Sequence, residues 1–130
     1  MSGQKHVLVV EDDEQILAGL KTRFEDLGIA VFTAKSYSEA MRLFMEHASH
    51  LNGMLVDGTL TKGSVSPEGA EFLRDARKRG YTRPIVACSS SDDMNDLMMK
   101  DGANGKCRAE RYRGIKETGP SVLMRLMEST

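Results

Sequence analysis

The stretch that decides the fold is His6-Val7-Leu8-Val9-Val10-Glu11-Asp12, an unbroken apolar run that ends in two acidic residues. An apolar run without alternation, rich in β-branched residues, predicts a strand that is buried on both faces. Strands of this kind occur in parallel sheets whose two faces are covered by helices. The run therefore indicates an α/β protein with an acidic pair at the carboxyl end of its first strand.

The rest of the chain repeats this alternation. Apolar residues recur at helical spacing from Ile16 to Leu27, and Gly28 is placed to end that helix. Five strand–helix repeats joined by short links require a parallel sheet between two helical layers. The other predicted strands are 30–33, 54–56, 84–88 and a weak fifth at 105–108, and the other predicted helices begin after Ser36 or Ser38, near Pro67, at Ser91 and at Pro120.

Size and charge exclude several classes of protein. With 130 residues, the chain is expected to form a single domain over 1–130, with a core from about 5 to 128. The 18 basic residues nearly balance the 19 acidic ones, which argues against a dedicated nucleic-acid binder. The basic residues at the end of the third helix are predicted to be solvated and to complement the helix dipole. They are Arg74, Arg77, Lys78 and Arg79.

Nothing in the sequence indicates a membrane or a secreted protein. The start of the chain has no secretory signal, and no apolar run approaches the roughly 20 residues that cross a bilayer. Cys88 and Cys107 lack the spacing of metal ligands, so we expect reduced, buried thiols in a cytoplasmic protein.

Chemically useful side chains follow three of the predicted strands. Glu11 and Asp12 follow the first, Asp57 the third and Ser89 the fourth. In parallel sheets, ligands bind beyond the carboxyl ends of the strands. Carboxylates without histidine or cysteine suit Mg²⁺ (or Mn²⁺), and a carboxylate can attack a phosphoryl group. These acids have commoner roles, Asp12 and Asp13 as helix caps and Asp57 in a turn, but the joint placement of Asp12 and Asp57 at strand ends favours a site.

Four motifs in this order resemble the response-regulator receiver (CheY-like) family of two-component signal transduction. They are Val9-Val10-Glu11-Asp12, Leu55-Val56-Asp57, Pro84-Ile85-Val86-Ala87-Cys88-Ser89 and Gly102-Ala103. The resemblance covers residues 5 to about 110. It implies a flavodoxin-like (βα)5 doubly wound, five-stranded parallel sheet with strand order 2-1-3-4-5.

The resemblance also implies a mechanism. Asp57 would be the phosphoacceptor and Ser89 the switch hydroxyl. Mg²⁺ would be held by Glu11, Asp12, Asp57 and the backbone carbonyl of Thr59. The phosphoryl group would come from a sensor histidine kinase or a histidine phosphotransfer protein, without turnover of a separate substrate.

Output would go to a partner protein, through the face formed by the fourth helix, fifth strand and fifth helix. No DNA-binding domain follows in this sequence, so we expect output by protein–protein contact, unless the sequence is one excised domain of a longer protein. We expect no contact of this domain with nucleic acid or a membrane. A homodimer is a further possibility that the family implies.

The sequence departs from the family near its end. The lysine that ends the fifth strand in the family falls here on Ala109, with Arg108 and Arg111 as candidate substitutes. The usual aromatic position falls on Lys106. The loop 60–68 is longer than in the family, and a lid or a tolerated surface insertion are both open interpretations.

Two functions of different class follow. In the first, Asp57 is phosphorylated and the domain relays a signal through an atypical switch. In the second, the chain is a pseudo-receiver, a protein-interaction module that is not phosphorylated. The retained acids and Ser89 favour the first.

Overall fold

Strands and helices alternate along the chain, and all the strands join one parallel sheet. The computed structural model of the protein describes residues 3–60, 67–107 and 119–129. Its elements are β1 (His6–Val10), α1 (Glu14–Asp26), β2 (Ala30–Ala34), α2 (Tyr37–His47), a 3-10 turn (Ala48–His50), β3 (Leu51–Val56), α3 (Glu68–Lys78), β4 (Ile85–Ala87), α4 (Asp92–Lys100), β5 (Gly105–Lys106) and α5 (Gly119–Glu128). The strand order is β2-β1-β3-β4-β5 with parallel pairing throughout. The predicted flavodoxin-like fold is confirmed.

Short polar side chains fix where three of the helices begin. The Asp13 carboxylate accepts two backbone N–H groups in the first turn of α1. Ser36, rather than Ser38, caps α2, and Ser91 caps α4. Each cap satisfies an N–H group that would otherwise lack a partner at the helix start.

The core lies in two layers, one on each face of the sheet. Alternate residues of β1 point to opposite faces, so Leu8 and Val10 join one layer while Val7 and Val9 join the other. All four are fully buried, as the unbroken apolar run predicts. Helices α2, α3 and α4 cover the first layer, and α1 and α5 cover the second. In the part of the chain that the structure describes, no helix is both long and apolar enough to cross a membrane.

The boundaries of β3, β4 and β5 differ most from those predicted. β3 begins at Leu51 rather than Met54, because the Asn52 side chain accepts the His6 N–H at 2.9 Å and ties this stretch to β1. β4 is shorter than predicted, since Pro84 has no N–H to donate to the ladder. β5 contains only Gly105 and Lys106.

Candidate functional site

The first and third strands deliver their acidic residues to the same edge of the sheet. The last paired residues of β1 and β3 are Val10 and Val56, and the next residue of each strand is Glu11 or Asp57. The Asp57 N–H donates to the Val10 carbonyl at 2.9 Å, which continues the pairing by one step. Carboxylate oxygens of Glu11, Asp12 and Asp57 all lie within 4.8 Å of one another. The convergence expected from the sequence is observed.

The adjacent residues Asp12 and Asp13 have different roles, one in the acidic cluster and the other as the cap of α1. Asp13 is the helix cap, since its Oδ1 accepts the N–H groups of Gln15 at 3.0 Å and Ile16 at 3.1 Å. Asp12 makes no cap and lies in the acidic cluster. The Glu11 carboxylate is held in place by the Asp12 N–H, which donates to it at 2.8 Å.

The cluster crowds three carboxyl groups into a partly buried place. Glu11 is only 3% exposed, and its pKa is raised by burial and by the neighbouring Asp57 carboxylate. Burial also raises the pKa of Asp57, although hydrogen bonds with the Glu11 side chain and the Thr59 N–H act in the opposite direction. Within residues 3–60, 67–107 and 119–129, no ion pair joins Glu11, Asp12 or Asp57 to a cationic side chain. A divalent cation with a preference for oxygen ligands fits this set of donors.

The backbone after Asp57 is packed tightly against α3. The Thr59 N–H donates to Asp57 Oδ1 at 3.3 Å, and the Gly69 N–H donates to the Gly58 carbonyl at 3.0 Å. A Cβ atom on Gly69 would overlap the backbone carbonyl of Asp57. The start of α3 therefore rests directly on the loop that holds Asp57, and this contact requires a glycine.

Ser89 follows β4 at the same edge and is 4% exposed. Its Oγ accepts the Ser91 N–H at 3.1 Å. Its backbone is held by Asn95 of α4, a residue that is 2% exposed. The Ser89 N–H donates to Asn95 Oδ1 at 2.9 Å, and Asn95 Nδ2 donates to the Ser89 carbonyl at 3.0 Å. Sequence reasoning missed Asn95, because an asparagine inside a short polar helix usually indicates an exposed position.

Of the residues where the sequence departs from the family, the structure describes Lys106. Its side chain is exposed, and Nζ lies 2.7 Å from Asp96 Oδ1 of α4. The side chain therefore points outward and is paired away from the acidic cluster. Residues 61–66 of the long loop, together with Arg108, Ala109 and Arg111, lie outside the described residues.

Known proteins share this sequence pattern and this fold. Residues 7–106 match the response regulator receiver domain family. The chain is 28% identical over 96 residues to the KDP operon transcriptional regulatory protein KdpE of Escherichia coli K12, covering 74% of this chain and 40% of that protein. It is 30% identical over 93 residues to the probable transcriptional regulator ycf27 of Cyanidium caldarium, covering 72% of this chain and 34% of that protein. The matches thus span less than half the length of either relative.

Among solved structures, the chain is similar to a response regulator receiver domain protein from Clostridium thermocellum. The TM-score is 0.75 at 25% identity, with 96% of this chain and 92% of that chain covered. Receiver domains are signalling modules of two-component systems that interact with histidine kinases or phosphotransfer proteins, and they typically bind Mg²⁺ at an acidic pocket. The family match over residues 7–106, the strand order and the acidic edge agree, and the chain belongs to the response regulator receiver domain family.

Proposed function

We propose that Asp57 accepts a phosphoryl group from a phosphohistidine on a partner protein, and that the phosphorylated domain signals by protein–protein contact. The observation that carries this proposal is the cluster of Glu11, Asp12 and Asp57 carboxylates within 4.8 Å at the carboxyl edge of the sheet. Mutual repulsion makes such a cluster destabilising for the fold, so a function that needs the carboxylates explains their placement. Phosphoryl transfer uses the cluster, since a nucleophilic carboxylate and ligands for a cation are both required.

The same residues would hold Mg²⁺ or Mn²⁺. We assign the carboxylates of Glu11, Asp12 and Asp57 and the backbone carbonyl of Thr59 as ligands. The raised pKa of Glu11, caused by burial and by Asp57, supports this assignment because a cation would relieve that repulsion. When bound, the ion would neutralise charge on the carboxylates and on the incoming phosphoryl oxygens.

The protein's own part in the transfer is mainly positioning. A carboxylate oxygen of Asp57 forms a bond to phosphorus while the phosphorus–nitrogen bond of the phosphohistidine breaks. The electron pair of that bond leaves with the imidazole of the donor. The Thr59 N–H, 3.3 Å from Asp57 Oδ1, fixes the orientation of the nucleophile.

Ser89 would report the new phosphoryl group. Its Oγ accepts the Ser91 N–H at 3.1 Å in this structure. In the proposed switch, the hydroxyl turns to donate to a phosphoryl oxygen, and the loop between β4 and α4 shifts with it. The position of Ser89 at the end of the strand next to β3 supports this role.

The partners follow from the same assignment. The donor would be a sensor histidine kinase or a histidine phosphotransfer protein. Output would use the face of α4, β5 and α5. Two apolar side chains of α4 are partly exposed, Leu97 at 40% and Met99 at 38%. Exposed apolar side chains on a helix next to the site suit binding of a partner protein or of a second copy of the chain.

Incubation with Mg²⁺ and acetyl phosphate, followed by intact-mass measurement, tests the proposal. We expect one phosphoryl adduct on the wild type and on Asp93→Asn, which removes an exposed carboxylate of α4. We expect none on Asp57→Asn. A wild type that stays unmodified, like Asp57→Asn, would favour the pseudo-receiver instead. That alternative is supported by the sequence, since Ala109 stands where the family has a lysine.

A further inference from the structure

Three consecutive residues of α4 contact three different strand ends of the sheet. Met94 packs on Gly58, the residue after Asp57. Asn95 bonds the backbone of Ser89 after β4. Asp96 pairs with Lys106 of β5 at 2.7 Å. The beginning of α4 thus contacts the segments at the ends of β3, β4 and β5.

The Asn95 contact is the most constraining of the three. Its amide both donates to and accepts from the Ser89 backbone, at 3.0 and 2.9 Å, in a place that is 2% exposed. Its own N–H donates to the Ser91 carbonyl at 3.1 Å. Separating a buried amide from its partners leaves unsatisfied polar groups at a cost of about 1–3 kcal/mol each. Ser89 therefore cannot shift its backbone without either breaking these bonds or carrying α4 along.

Met94 gives α4 a second contact beside the phosphoacceptor. A Cβ atom on Gly58 would overlap Met94 Cγ and would lie 3.0 Å from Met98 Sδ. The two thioether side chains consequently rest on the bare backbone next to Asp57. A shift of the Gly58 backbone and a shift of the Ser89 backbone would therefore both act on α4.

We infer that Asn95 is a positioning residue that couples the Ser89 backbone to α4 in this chain. The inference rests on the proposed phosphorylation of Asp57 and goes beyond it, since it names the side chain that links the switch hydroxyl to this helix. Lys106 of β5 pairs with Asp96 of the same helix, so α4 also contacts the strand beside β4.

Methionine-methyl NMR tests the coupling, because the chain carries reporters at the required places. Met94 and Met98 lie at Gly58, whereas Met45 on α2 is 58% exposed and serves as a reference. Spectra are recorded with Mg²⁺ before and after acetyl phosphate, with intact mass measured on each sample. The variants are Asn95→Ala, Asn95→Asp (which keeps the acceptor and loses the donor) and the surface control Asp93→Asn.

We expect all these proteins to take the phosphoryl group, with extents within about threefold of one another. The phosphorylation-induced shifts of the Met94 and Met98 methyls should fall to about half or less in both Asn95 variants, since a coupling element has been removed. Shifts of wild-type size in Asn95→Ala and Asn95→Asp would overturn the inference. An Asn95 variant that folds but takes no phosphoryl group would also overturn it, by placing Asn95 in the chemistry. Absence of the adduct on the wild type would instead refute the phosphorylation on which it rests.

Discussion

Asp57 donates its backbone N–H to the Val10 carbonyl at 2.9 Å, and this single bond sets its carboxylate beside that of Glu11, the residue after Val10. Parallel pairing thus brings together two acidic groups that are 46 positions apart in the chain. Their repulsion lowers the free energy of unfolding of the metal-free protein. Stability measurements can therefore test the site as well as chemical ones.

Removing one of these charges should stabilise the metal-free protein. Asp57→Asn keeps the size of the side chain and removes the repulsion with Glu11 and Asp12, so we expect a gain of about 1–2 kcal/mol in the free energy of unfolding. Urea unfolding in the presence of a chelator measures this. Asp93→Asn, at an exposed position of α4, should stay within about 0.5 kcal/mol of the wild type. A loss of stability in Asp57→Asn would contradict the electrostatic account.

Magnesium should stabilise the protein through the same carboxylates. An ion that binds the folded state at 100 times its dissociation constant adds about 2.7 kcal/mol to the free energy of unfolding. We expect a gain of this order for the wild type, its reversal by a chelator, and little gain for Asp12→Asn or Asp57→Asn. Thermal unfolding across a Mg²⁺ titration provides the measurement. An equal gain in Asp12→Asn would show that the ion binds elsewhere.

Two glycine substitutions should have opposite effects on stability, because only one of the two glycines lies in the close contact between α3 and the Asp57 loop. Gly69→Ala would drive a methyl group into the Asp57 carbonyl, so we expect a loss of about 1–3 kcal/mol and a weaker response to Mg²⁺. Gly19→Ala places a methyl in open space on α1 and should stabilise the protein by about 0.5–1 kcal/mol. Both values come from urea unfolding curves. A neutral Gly69→Ala would mean that α3 can move away from the site freely.

Arg77 should matter more for stability than its basic neighbours. Its guanidinium donates to the carbonyls of Gly102, Tyr81 and Arg83 at 3.0, 2.7 and 2.8 Å, and to Asn104 Oδ1 at 2.6 Å. Arg77→Ala removes four hydrogen bonds, three of them to backbone carbonyls, so we expect a loss of about 2–4 kcal/mol.

The exposed residue Arg74 provides the matched control for this prediction, and Arg74→Ala should cost less than about 0.5 kcal/mol. Chemical denaturation of the two variants compares them directly. Similar stabilities for both would show that the four hydrogen bonds of Arg77 contribute nothing net.

The fold and the acidic cluster could be predicted because their signals are local. The unbroken run of β1 predicts a buried parallel strand, and such strands place their carboxyl ends at one edge of the sheet. The residue that follows each run is then a site candidate, which applies to Glu11, Asp57 and Ser89. Helix caps are equally local, although only the structure decided between Ser36 and Ser38.

The contacts of Arg77 and Asn95 could not be predicted, because their partners are not determined by helix position alone. Arg77, in the last turn of α3, was expected to be solvated, and this interpretation is wrong: it bonds Gly102 and Asn104, which are 25 and 27 residues away. Asn95 is buried and its amide bonds the Ser89 backbone in the loop after β4. Tertiary packing of this kind overrides the polar character of a side chain.

Chemical identification of the phosphorylated residue decides whether Asp57 is the acceptor. After incubation with Mg²⁺ and acetyl phosphate, borohydride converts an aspartyl phosphate to homoserine, and peptide mass mapping locates the conversion. We expect homoserine at position 57 and an unmodified Asp12. Conversion at another aspartate, or at none while the protein remains folded, would contradict this assignment.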